Sequence, residues 1–336
     1  MRRATRIAEV LRGDGLWRVP RRPGASPDAN AACTLPLVFE WPRTKAASCS
    51  RGGRPGRALE GVRFTKMQGC GNDFLVFDPG EVEGADLPEL ARSACDRHFG
   101  VGADGILVPV SSGIADLEML YLNSDGSHSE MCGNGLRCLA RYAADRGMVR
   151  GHALTVATGA GVKEVVLFDD GSSRVDMGAP RLGAEIAVGG FRFLRVSVGN
   201  PHAVTFLQST DAVEALDLPV VGPPIERDAA FPERTNVEFG FARGEHDVRM
   251  RIWERGAGET LASGSGSCAV AVAAIAQRLA QSPIRVHLDG GVVEVEWSGG
   301  GEPAYMRGPA EYVCEGELSA VSYQPSARVD RLKADS

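Results

Sequence analysis

Residues 117–147 read LEMLYLNSDGSHSEMCGNGLRCLARYAADRG, and three local rules succeed one another along them. Leu117, Met119 and Tyr121 recur at period two, the mark of a strand with one buried face. The polar loop Asn123-Ser124-Asp125-Gly126 breaks that pattern. After Met131-Cys132-Gly133-Asn134-Gly135, residues 136–146 read as a helix, and Gly147 supplies the residue that ends one.

The same succession recurs in 247–281, DVRMRIWERGAGETLASGSGSCAVAVAAIAQRLAQ. Val248, Met250 and Ile252 alternate, the loop Glu254-Arg255-Gly256-Ala257-Gly258 follows, and Ala262-Ser263-Gly264-Ser265-Gly266 leads into a helix over about 267–280. That helix is Ala-, Val- and Ile-rich all round, which predicts burial on every side. Spacing matches as well as style. Gly71-Asn72 opens one half and Gly199-Asn200 the other; Cys132 stands 60 residues after Asn72, and Ser263 stands 63 after Asn200. Asn123 precedes Cys132 by nine residues, and Glu254 precedes Ser263 by nine. Two similar domains with a site between them are predicted. Short alternating runs at 162–168, 192–198, 203–206 and 292–297, separated by Gly, Asp and Pro, predict strands wrapped round one buried helix per half, an α+β class.

Composition narrows the function. The chain has 336 residues with 43% hydrophobic and 24% charged content, enough for two globular domains. No run approaches a membrane-spanning length, so no membrane partner is expected. A net charge of −6 gives no support for nucleic-acid binding. That charge is uneven: residues 1–60 hold twelve basic side chains against five acids, leaving −13 for the rest. This proline-rich opening shows no sustained period and reads as a disordered basic tail, an organelle-targeting peptide or a start codon assigned too early. Eight cysteines are scattered singly without Cys-x-x-Cys pairs, so neither a zinc ribbon nor a redox pair is signalled, and reduced thiols in the cytosol are expected.

Cys132 stands out among them. Its Gly-flanked position just before a helix places the sulfur where unpaired N–H groups favour an anion, so its thiol pKa is expected to fall. The glycines let backbone N–H groups approach a carboxylate. Cys95, Cys138, Cys268 and Cys314 read as small buried residues, and Cys70 leans the same way. A cysteine hydrolase needs an oriented His base, and His202 is the one histidine inside a motif-like turn, but no nucleophile elbow is signalled. Gly256-Ala257-Gly258 lacks the third glycine and the downstream acid of a dinucleotide site. Acid–base chemistry on a carbon remains, with Asn72, Asn123, Asn200, Asn236 and Arg255 available to hold a zwitterion.

Long motifs then carry a family resemblance. Phe64-Thr65-Lys66-Met67-Gln68-Gly69-Cys70-Gly71-Asn72-Asp73-Phe74 resembles the opening of the diaminopimelate epimerases. Gly100-Val101-Gly102-Ala103-Asp104-Gly105, Asn123-Ser124-Asp125-Gly126-Ser127 and Met131-Cys132-Gly133-Asn134-Gly135-Leu136-Arg137-Cys138 continue it. Gly199-Asn200-Pro201-His202-Ala203-Val204, Arg234-Thr235-Asn236-Val237, Glu254-Arg255-Gly256-Ala257-Gly258-Glu259-Thr260 and the closing Gly308-Pro309-Ala310 complete it. The resemblance implies two pseudo-symmetric lobes, each a β-barrel-like sheet round a central helix. The boundaries expected are a disordered basic extension at 1–61, a first lobe at 62–180 completed by 308–320, a second lobe at 181–307 and a polar tail at 321–336. It also implies conversion of LL- to meso-2,6-diaminopimelate for lysine and peptidoglycan synthesis, with no cofactor: neither pyridoxal phosphate nor metal. A homodimer in the cytoplasm with a small-molecule substrate is implied too. Asn72, Asn123, Asn200, Asn236, Glu254 and Arg255 would hold the substrate. Gly133, Asn134, Gly264 and Ser265 would bind its carboxylate, and His202 and Glu254 would tune the two acid–base groups, Cys132 and the residue at 263.

The family's second cysteine stands where this chain has Ser263. Cys268 does not replace it, lying five residues on, about 7.5 Å along a helix. A thiol titrates near ~8.5, whereas a serine hydroxyl stays protonated and is a poor general base. An engineered inactive variant, a naturally weak enzyme and a shifted reaction all fit that serine. The alternatives are a one-base relative, either a hydroxyproline-type dehydratase or another amino-acid racemase, and a catalytically silent substrate-binding homologue. The related proline-racemase group has His where this chain has Asn134.

Overall fold

A computed structural model of the chain describes residues 61–319. The expected basic extension, but for Gly61, and the expected polar tail lie outside the described residues.

The first half runs β1 (Val62–Gly69), β2 (Asn72–Val76), α1 (Leu87–Ala94), β3 (Gly105–Val110), β4 (Leu117–Asn123), α2 (Gly133–Asp145), β5 (Ala153–Thr158), β6 (Gly161–Leu167) and β7 (Ser172–Gly178). Then follow β8 (Arg181–Val188), β9 (Phe191–Ser197), β10 (Pro201–Phe206), α3 (Thr210–Glu214), α4 (Leu218–Glu226), β11 (Asn236–Gly244), β12 (Asp247–Glu254) and the short β13 (Gly258–Glu259). The chain ends with α5 (Gly264–Ala276), β14 (Ile284–Leu288), β15 (Gly291–Glu296), β16 (Ala304–Pro309) and β17 (Glu311–Leu318).

Strand pairing states the pseudo-symmetry. One path runs β17-β1-β2-β3-β4-β5-β6-β7, and the other runs β8-β9-β10-β11-β12-β14-β15-β16. Taken in those orders, both give the same series of antiparallel and parallel contacts. The third and fifth contacts are parallel, β2–β3 and β4–β5 in one, β10–β11 and β12–β14 in the other. A parallel pair needs a crossover, and a helix supplies each: α1 and α2 in the first lobe, α3–α4 and α5 in the second. An antiparallel β7–β16 pairing joins the lobes into one sheet. β16 therefore pairs with both lobes, and the chain returns to the first lobe after Pro309, with β17 pairing β1 from Glu311 onward.

Each lobe wraps round its long helix. α5 buries Ala269 to Ala274 completely, and α2 buries Leu136, Cys138, Leu139, Ala140 and Tyr142. Both helices end in the same motif. At α2, Gly147 takes φ +70°, its N–H reaches Ala144 O at 3.0 Å, and Met148 N–H reaches Ala143 O at 2.9 Å. At α5 the left-handed residue is Arg278, φ +59°, with Leu279 N–H on Ala274 O at 2.8 Å. Cys95, Cys138 and Cys268 are buried, as is Cys70. Cys314 is exposed, against the sequence expectation, because β17 is an edge strand whose outer face none of the described residues covers.

Candidate active site

The two long helices start against each other. Cys132, the N-cap of α2, has φ −135° and ψ 118°; Ser263, the N-cap of α5, has φ −136° and ψ 119°. Helix therefore begins at Gly133 and Gly264, three residues earlier than the sequence indicated. These glycines are there for space. A Cβ on Gly133 would lie 2.9 Å from Met306 Cε; one on Gly264 would lie 3.1 Å from the same atom and 3.6 Å from Gly133 Cα. Two helix N-termini thus converge on one point, a favourable setting for an anion.

Around Cys132 the first lobe supplies amides. The sulfur lies 3.4 Å from Asn72 Oδ1, and Asn134 Nδ2 donates to that oxygen at 3.2 Å. Asn72 Nδ2 donates to Asp104 Oδ2 at 2.6 Å, and Asp104 is paired with Arg97 at 2.8 Å. The N–H groups of Gly135 and Asn134 pull the thiol pKa down, in the expected direction. Burial outweighs them, with Glu254 adding to it, and pushes Cys132 up to about 11. The expected fall in pKa is corrected accordingly: removal from water costs the thiolate more than the helix start returns.

Around Ser263 the second lobe supplies oxygens. Ser263 Oγ accepts from Gly266 N–H at 3.2 Å and donates to Glu254 Oε2 at 3.2 Å. Thr260 donates to the other oxygen of Glu254 at 2.5 Å. Burial raises the Glu254 carboxyl above its usual range, opposed by the hydrogen bonds from Thr260 and Ser263. His202 is wholly buried; its Nδ1 meets Glu238 Oε1 at 2.5 Å and its Nε2 meets Asn200 Oδ1 at 2.9 Å. Asn200 Nδ2 in turn lies 3.4 Å from Ser265 Oγ. A cavity of ≈ 350 Å³ opens beside Asn200 and His202, bounded also by Arg181, Arg195 and Phe231.

The structure gathers the sequence-predicted residues into three groups: Asn72, Cys132 and Asn134; Asn200, His202 and Ser265; Glu254 and Ser263. Asn123 and Glu254 end the equivalent strands β4 and β12, but Asn123 bonds within its own loop, to Ser127 Oγ at 3.0 Å. Asn236 holds Pro201 O at 3.0 Å and the Arg255 N–H at 2.9 Å, and the Arg255 guanidinium reaches Glu233 O at 2.9 Å. Sequence reasoning missed Asp104 and Glu238. Asp104 lay inside a quoted motif, and Glu238 stands two residues after Asn236 on β11, hence on the same face of the strand.

Comparison with known proteins places this arrangement. The family model described as diaminopimelate epimerase matches twice, over residues 64–183 and 194–313, once per lobe. The diaminopimelate epimerase of Pelotomaculum thermopropionicum is 44% identical over 279 residues, covering 76% of this chain and 98% of the relative. That of a Cyanothece species is 45% identical over 285 residues, covering 76% and 99%. Among solved structures, a phenazine biosynthesis protein of the PhzF family from Bacillus anthracis aligns with TM-score 0.60 at 18% identity, over 77% of this chain and 99% of that one. A hydroxyproline epimerase from Agrobacterium vitis aligns with TM-score 0.57 at 16% identity, over 76% and 92%. At such identities these two share the fold alone.

Proposed function

The chain belongs to the diaminopimelate epimerase family, and from that premise we propose that it interconverts LL- and meso-2,6-diaminopimelate by acid–base chemistry at the α-carbon. The observation that carries the reading is the meeting of two helix starts whose caps share one backbone geometry. The substrate's α-carboxylate accepts N–H groups from both starts, near Gly133 and Asn134 on one side and Gly264 and Ser265 on the other. Its α-carbon then lies between Cys132 and Ser263. Cys132 moves a proton on one face. On the other face Glu254, hydrogen-bonded to the Ser263 hydroxyl, is the group able to hold a proton, and the serine passes it. Asn236 and Arg255 stand where the far end of the substrate lies.

Serine at the second cap makes turnover asymmetric and slow. Loss of one positioned acid–base group costs about 10²–10⁴-fold. Ser263→Cys is expected to raise epimerisation by about that factor with little change in substrate affinity, because the Asn and backbone contacts are untouched. The test follows α-deuterium uptake and product chirality separately, for both isomers, in the parent protein and in Ser263→Cys. Inversion that stays flat on restoring the thiol removes residue 263 from the acid–base chemistry and brings back the one-base or silent alternatives. The same reading carries a homodimer in the cytoplasm. Among the described residues β8 and β17 are edge strands, and with Tyr312 and Val313 exposed they support the homodimer; light scattering checks it.

A further inference from the structure

The two asparagines at equivalent places in the lobes face the site in opposite senses. Asn72 turns its oxygen to the helix start, towards Cys132 Sγ and Asn134 Nδ2, and its nitrogen to Asp104. Asn200 turns its nitrogen to the other helix start, towards Ser265 Oγ, and its oxygen to His202. For Asn72 the partner behind it dictates the sense. Asp104 is a salt-bridged carboxylate that only accepts, and its Oδ2 already receives the Asp73 N–H at 3.1 Å. The Nδ2 of Asn72 must therefore be the end that meets it. Behind Asn200 stands His202 instead, whose Nε2 meets the Asn200 oxygen and whose Nδ1 meets Glu238.

We propose that Asp104 is a positioning residue that locks the Asn72 amide with its oxygen facing Cys132, so that the sulfur is presented as a proton-bearing thiol, the acid of the site. An oxygen at 3.4 Å accepts an S–H but repels a thiolate. Were the amide reversed, its NH₂ would donate to the sulfur and favour the thiolate. Among the described residues, the other charged and titratable groups around the sulfur are Glu254 from β12, Arg137 and Cys138 from α2, and Tyr121 from β4. Each keeps its own position whichever way the Asn72 amide points.

The proposal rests on the acid–base role given to Cys132, but its test reads the thiol without turnover, so the two fail separately. Alkylation of Cys132 by iodoacetamide is followed by peptide mass spectrometry between pH 8 and 10, with circular dichroism as the control for folding. Asp104→Asn offers Asn72 a partner that also donates and so frees the amide to turn. Its alkylation is expected to be about tenfold faster, the effect of one pKa unit. Asn72→Leu, which removes the acceptor while keeping the site dry, is expected to give a similar gain should Asp104→Asn fail to fold. In the Asn72→Leu background, adding Asp104→Asn is expected to change nothing. A further acceleration there shows a plain charge effect and overturns the proposal, as do unchanged rates in the single variants.

Discussion

At the scale of single residues, Cys132 shows how a cap position and a burial position compete for one thiol. Its pKa in the folded protein, about 11, lies above the ~8.5 of a free thiol. The folded state therefore holds the proton more tightly, and less thiolate is present at pH 8 than in the unfolded chain. Alkylation of Cys132 is expected to climb with unit slope from pH 8 towards 11, to trail that of the exposed Cys314 at pH 8, and to speed up in urea. A rate already level at pH 8 contradicts this. Gly266 offers a second test. A Cβ there would stand 2.7 Å from Ile252 Cδ1 and 3.1 Å from both Glu238 Oε1 and Ser263 Oγ. Gly266→Ala is expected to cost about 1–3 kcal/mol in urea denaturation despite its better helix propensity. Cys132, Asn72 and Asn200 were legible in the sequence because glycines flank them in loops. Asp104 and Glu238 were not, because their importance lies in which atom each turns to a neighbour distant in the chain.

Elements tell a similar story about what pattern alone conveys. The periodicity placed the helix starts at 136 and 267, three residues late, since Gly-Asn-Gly and Gly-Ser-Gly are poor helix formers. Packing overrode propensity: Met306 fills the space where larger side chains would stand, and the helices run on to the contact. The short strands were placed within one or two residues because alternation is local. At the other end of the helices, Gly147 was readable as a stop and its counterpart Arg278 was not, since arginine carries no such signal. Arg278 is exposed at φ +59°, a conformation that costs a residue with a Cβ about 1–2 kcal/mol. Arg278→Gly is expected to raise stability by about 0.5–1 kcal/mol, a gain of roughly 2 °C in Tm. An unchanged or lower Tm shows that the arginine side chain makes a contact worth more than the backbone strain.

For the whole molecule, the repeat spacing revealed two lobes but not the seam between them. β7 and β16 pair across some 130 residues of chain, a contact that local pattern does not encode. Because that seam makes one sheet of both halves, heating is expected to give a single calorimetric transition. A chain cut after Pro309 removes β17, uncovers β1 and strips Gly316 from the Phe64 ring. It is expected to lose that cooperativity and to aggregate; a cut chain that melts as the full one does shows β17 to be dispensable. The return of β17 also has a consequence in time. Val62 leaves the ribosome about 250 residues before its partner Leu318, which at about 5–20 residues per second is some 10–50 s. The second lobe, β8 to β16, is by then fully synthesised, so the half of the protein translated first is the half finished last. Throughout that wait the outer edge of β1 stands open on the nascent chain, and it is there that a chaperone has a strand to shield.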